Sequence, residues 1–127
     1  MAPIRGSFAD GAPVVTITVR SASHAVPRSA VIDTGFDGFS AIPASLASML
    51  GLRPDIAVEV EYADGHVGNV ALASAHVVLA GEAREALIHV HPHSHETLVG
   101  LDFLRAFGKV LVLSVSHETV TLVDRPR

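Results

Sequence analysis

The chain has 127 residues, 49% hydrophobic and 17% charged, which suits a single folded domain spanning residues 1–127 and excludes a disordered chain. It carries 9 basic and 13 acidic residues, a net charge of −4 that gives no support to a nucleic-acid or anionic-membrane partner. With no cysteine, disulfides, thiolate metal sites and a cysteine nucleophile are excluded.

Residues 1–10 hold one arginine and no apolar run, so no signal peptide is read there. No segment approaches the roughly 20 apolar residues that a membrane helix needs. A soluble, cytoplasmic protein is expected. Residues 14–20 alternate, with Val15, Ile17 and Val19 on one face and Thr16, Thr18 and Arg20 on the other, the pattern of a half-buried strand. Residues 29–32 read as a short, more fully buried strand that ends at Asp33. Residues 33–40 are rich in turn formers and read as a loop.

At residues 43–50 the period changes. Pro43 suits a helix start, Leu46, Met49 and Leu50 recur at helical spacing, and Gly51 suits a stop, giving a helix of about two turns with those three residues toward the core. Residues 56–62 alternate again, and Asp64-Gly65 is a tight-turn pair, so residues 58–72 read as a hairpin. Residues 70–79 and 86–90 read as strands joined by a turn at Gly81. Residues 98–100 form a short apolar run into Gly100, and residues 101–107 a second brief helix that Asp102 is positioned to cap. Residues 109–115 and 119–123 complete a last hairpin. Seven or eight short strands with two short helices point to an all-β barrel or sandwich.

Asp33-Thr34-Gly35 is the segment with the most specific chemical reading. An Asp-Gly turn by itself is common, because Asp bonds locally and Gly accepts positive φ. Here an apolar strand, Ala30-Val31-Ile32, delivers the carboxylate straight into the loop, and a buried strand end fixes a carboxylate better than a free loop does. Ala30-Val31-Ile32-Asp33-Thr34-Gly35, followed by Ile42-Pro43 and a short helix into Leu50-Gly51-Leu52, resembles the retropepsin-like single-lobe aspartic peptidases, and in particular their prokaryotic branch with Asp-Thr-Gly-Phe. Tyr62-Ala63-Asp64-Gly65-His66 stands where that family places its flap hairpin. Leu98-Val99-Gly100 leading into a helix resembles its second signature. The resemblance spans about residues 14–123, and the order of three separate pieces makes it more specific than the triplet.

The resemblance implies a closed β-barrel lobe, a peptide or protein substrate, and no cofactor or metal. It implies that Asp33, Thr34 and Gly35 are catalytic, with Phe36, Ala63, Asp64, Gly65 and His66 against the substrate. Thr34 would brace the two catalytic loops, and Gly100 would pack beneath them. Phe36 is large where retroviral enzymes carry a small residue, which would narrow or reshape the cleft. Hydrolysis by carboxylates needs one group to activate water and another to protonate the carbonyl. One triplet therefore supplies half a site, and a homodimer would bring Asp33 beside its own copy. Such a pair shares one proton and titrates as a unit, so the rate maximum is expected below neutral pH. Residues 119–123 are the candidate contribution to the dimer sheet.

Two other functions fit the same residues. One is an inactive peptide- or partner-binding module of the same fold. The other is a metal-binding β domain using His89, His91, His93 and His95, which alternate as strand neighbours do. Pro92 and Ser94 interrupt that row, and a solvated loop or edge strand is the plainer expectation. Arg5, Arg20, Arg28, Arg53, Arg84 and Arg105 are scattered and form no basic run.

Overall fold

The computed structural model describes residues 2–126. The strands are β1 (Ile4–Arg5), β2 (Ser7–Ala9), β3 (Ala12–Arg20), β4 (Ala25–Ile32), β5 (Ser40–Pro43), β6 (Ile56–Glu61), β7 (Val67–Leu79), β8 (Glu82–His91), β9 (Thr97–Val99), β10 (Lys109–Ser114) and β11 (Thr119–Asp124). Helix α1 (Ala44–Met49) follows β5, and α2 (Leu101–Ala106) follows β9. The fold is all-β, with more and longer strands than the sequence pattern predicts. No helix of the described residues is long and apolar enough to cross a membrane.

Eight strands form one sheet in the order β2-β3-β4-β9-β5-β8-β7-β6. β3 also pairs with β7 through Thr18 and Val78, Val19 and Val77, and Arg20 and His76, so the pairings from β3 round to β7 return to β3, with β2 and β6 outside that ring. The alternation in β3 puts Val15, Ile17 and Val19 in the core. β4 extends four residues upstream of the predicted strand, through Pro27. β9 flanks only Ala30–Ile32, so Pro27 lies on the half of β4 that has β3 as its one neighbour. A residue without an N–H is tolerated there because one edge asks nothing of it.

β5 is absent from the sequence expectations. All four of its residues are buried, so it shows no alternation, and its last residue is the proline that introduces α1. It lies between β8, parallel, and β9, antiparallel. α1 buries Leu46 and Ala47, and its C-cap residue Leu50 is buried too, but Met49 is 54% exposed instead of facing the core, and its sulfur accepts from Arg28 at 3.8 Å. Gly51, at φ +67, ends the helix where a side chain would be strained. The core is completed by three phenylalanine rings, Phe103 standing 5.7 Å from Phe39 and 5.0 Å from Phe107.

A separate three-stranded sheet has the order β1-β11-β10. β11, the predicted dimer strand, is the middle one, and the outer edge of β10 has no strand partner among the described residues. β10 exposes Val110, Val112 and Leu113, and Val115 just beyond it is exposed as well.

Candidate active site

The last residues of β4 pair in parallel with β9, Ile32 opposite Val99. Asp33 continues that ladder by one bond, its N–H donating to the Val99 carbonyl at 2.9 Å. The chain then turns. Phe36 N–H donates to the Asp33 carbonyl at 3.1 Å, and Gly35 N–H donates to Asp33 Oδ1 at 2.9 Å. One carboxylate oxygen is thereby oriented by the backbone of its own turn. Asp33 is half-buried, while Thr34 and Gly35 are exposed. A Cβ on Gly35 would stand 3.2 Å from Asp33 Oδ1, so even a methyl group there would crowd the carboxylate.

α2 supports this loop from below. Its first N–H groups have no partners within the helix and need acceptors elsewhere. Leu101 N–H donates to the Phe36 carbonyl at 2.9 Å, Gly100 N–H to that of Phe39 at 3.1 Å, and Asp102 N–H to that of Gly38 at 3.2 Å. The predicted capping role of Asp102 is therefore incorrect. Gly100 is the N-cap residue, no side chain caps the helix, and the Asp102 carboxylate pairs with Arg105. Gly100 lies so close under the loop that a Cβ there would be 2.5 Å from the Gly38 carbonyl oxygen and closer still to that of Phe36.

Phe36 turns its ring over Gly38 and meets His89 of β8 edge-on, with centroids 5.1 Å apart and planes at 78°. The His91 ring follows 6.2 Å beyond His89. Burial holds His89 below the usual imidazole range, the neighbouring His91 adds to that, and Asp37 opposes it. The histidine row therefore divides. His89 and His91 occupy β8, in register with Ala41 and Pro43 of β5, while His93 and His95 lie in the loop before β9. Pro92 comes just after the last residue of β8, so it ends the strand instead of preventing it. Among the described residues no group of three or more His, Asp or Glu side chains is arranged to hold a metal ion.

Ala63, Asp64, Gly65 and His66 form the turn between β6 and β7, and all four are exposed. Gly65 N–H donates to the Tyr62 carbonyl at 2.9 Å, Tyr62 N–H to that of His66 at 2.7 Å, and His66 N–H to Asp64 Oδ1 at 2.8 Å. Gly65 has φ +85, which only glycine adopts without strain. The structure thus gathers Asp33, Thr34, Gly35 and Phe36 into one loop and puts Ala63 to His66 at a separate hairpin tip. His89 against Phe36 is the neighbour that sequence reasoning missed. The signal available for it is the strand alternation of His89 with Val90 and His91.

No protein-family model matches the chain, and no curated protein matches it significantly. Solved structures do. A retropepsin-like aspartic protease from Rickettsia conorii is similar at 18% identity over 95% of this chain and 89% of that one, with a TM-score of 0.70. EIAV protease in complex with the inhibitor HBY-793 is similar at 19% identity over 80% of this chain and 93% of that one, with a TM-score of 0.57. The chain has the retropepsin-like fold.

Proposed function

We propose that this protein is an aspartic endopeptidase that hydrolyses peptide bonds as a homodimer, with Asp33 of each copy forming the catalytic pair. The observation that carries the proposal is the setting of Asp33, a half-buried carboxylate with one oxygen fixed by Gly35 N–H, at the end of a core strand in a fold shared with known aspartic proteases. Two such carboxylates about 3 Å apart hold one proton between them. The ionised one takes a proton from water as the water oxygen bonds to the scissile carbonyl carbon, and the other donates its proton to the carbonyl oxygen. Collapse of that intermediate breaks the C–N bond, and the amine leaves with a proton. Thr34 and Gly35 shape the turn, Phe36 borders the substrate, and the 62–66 hairpin closes over it to exclude water.

The edge of β10, without a strand partner among the described residues, supports the dimer. A strand edge with exposed apolar residues on both faces is a pairing surface, and a second copy related by a twofold axis satisfies it. Cleavage of a mixed peptide library at several pH values, for wild type and Asp33→Asn, tests the proposal. Acid-favoured cleavage that a statine-type transition-state mimic blocks and Asp33→Asn abolishes is the expected result. A folded dimer that cleaves nothing at any pH would leave the peptide-binding module as the function.

A further inference from the structure

The ring series that starts at Phe36 leads away from the catalytic loop to an open cavity. Phe36 meets His89, His89 meets His91, and His91 forms part of the wall of a cavity of about 460 Å³. Tyr62, Asn69 and Val70, from the base of the 62–66 hairpin, line it too. The polar lining consists of Tyr62, Asn69, His91, His93 and Ser94, with Val90 among the apolar residues. No carboxylate and no lysine or arginine lines it. Every polar side chain in the lining can donate a hydrogen bond, and two of them are imidazoles.

We propose that this cavity is a substrate subsite that takes an acidic side chain, glutamate or aspartate, of the peptide lying in the cleft. The inference rests on the peptidase reading and extends it to specificity. Imidazoles gain charge in mildly acidic water, the range in which a proton-sharing carboxylate pair works, so recognition and catalysis are switched on together. Protonated His91 and His93 then offer charge-assisted hydrogen bonds to a carboxylate, with Tyr62, Asn69 and Ser94 as further donors.

The surrounding charges fit this assignment. On the hairpin, the His66 ring lies 5.6 Å from that of Tyr62 and Asp64 Oδ1 accepts from His66 N–H, and neither His66 nor Asp64 lines the cavity. On β6, Glu59 stands opposite Asn69 in the ladder without lining the cavity. On β8, His89 is disfavoured as a cation by its burial, with Asp37 beyond it on the catalytic loop. In the loop before β9, His95 and Glu96 line a different cavity, with Arg28. His91 and His93 are therefore the two imidazoles of this cavity's own wall.

The test uses the full chain and pairs of otherwise identical peptides carrying Glu or Gln at each position around the scissile bond. At pH 5, one position is expected to favour Glu over Gln by about tenfold in kcat/KM, the scale of one charge-assisted hydrogen bond. That preference is expected to fall toward unity at pH 7.5 and to vanish in His91→Gln with His93→Gln, while cleavage of the Gln peptides persists. A Glu preference absent at pH 5, or one that survives both substitutions, overturns the inference. Binding of the same peptides to Asp33→Asn, followed by fluorescence anisotropy, separates this subsite from the catalytic proposal. A pH- and histidine-dependent Glu preference there supports the subsite even if no wild-type cleavage is found, and its absence refutes the subsite even if cleavage is robust.

Discussion

Gly100 faces the carbonyl oxygen of Phe36 with no space for a side chain between them. The contact couples the start of α2 to the loop that carries Asp33, and Leu101 N–H bonds the same oxygen at 2.9 Å. Gly100 has φ −123, which any residue can adopt, so the cost of a larger residue there is steric alone. Gly100→Ala is therefore expected to push the loop off the helix, lower stability by about 1–3 kcal/mol and depress peptide cleavage. Urea unfolding and kcat measured together check it. A variant with unchanged stability and activity would show that the loop and helix are not held in register by this contact.

Asp33→Asn separates chemistry from architecture. An asparagine Oδ1 can still accept from Gly35 N–H, and the Asp33 N–H bond to Val99 involves backbone only. Stability is expected to change by less than about 1 kcal/mol, the scale of one hydrogen bond. Cleavage is expected to fall at least about 1,000-fold, because in the proposed dimer neither copy could then exchange a proton. Melting curves and cleavage rates on one preparation give both values. Loss of folding in this variant would assign Asp33 a structural role instead.

The parts of the fold that the sequence predicts well are those where one physical signal acts alone. β3 and the 58–72 hairpin are half-buried, so their alternation or their Asp-Gly turn is plain. β5 is buried on both faces and loses its alternation for that reason. Met49 shows the limit of helical spacing, because a six-residue helix against a sheet buries too narrow a stripe to include it. Asp102 has the right residue type for a cap, but the helix N–H groups are already taken by loop carbonyls that are distant in sequence. The Asp33 turn is legible because its order is local, strand then turn. The approach of His89 to Phe36 is a long-range event, and the strand alternation that puts His89 and His91 on one face does not say which residue they meet.

If β10 is the dimer edge, a charge in its middle should separate the copies. Val112 is 53% exposed in the single chain and pairs with Thr121 of β11. Val112→Lys is expected to leave the lobe's own stability within about 0.5 kcal/mol, as for other exposed positions. It is expected to shift sedimentation toward the single-chain mass and to make cleavage fall with dilution. The same mass as wild type at micromolar concentration would place the interface elsewhere.

His89 gives a pH signature that does not depend on activity. Its folded pKa is depressed, chiefly by burial, so the unfolded chain takes up a proton that the folded chain resists. Stability is then unaffected by this group well above the ordinary imidazole pKa of about 6.5 and declines as pH falls through that value toward the lower folded one. His89→Leu removes the titration and keeps an apolar contact for the Phe36 ring. The stability of this variant relative to wild type is expected to rise as pH drops from 7.5 to 5, read as the difference in urea midpoints. Because the other histidines and the carboxylates are common to both proteins, the difference reports His89 together with its coupling to His91 and Asp37. Parallel pH curves would mean that His89 takes up its proton in the folded protein as readily as in the unfolded one, and that the Phe36–His89 contact does not keep the ring neutral.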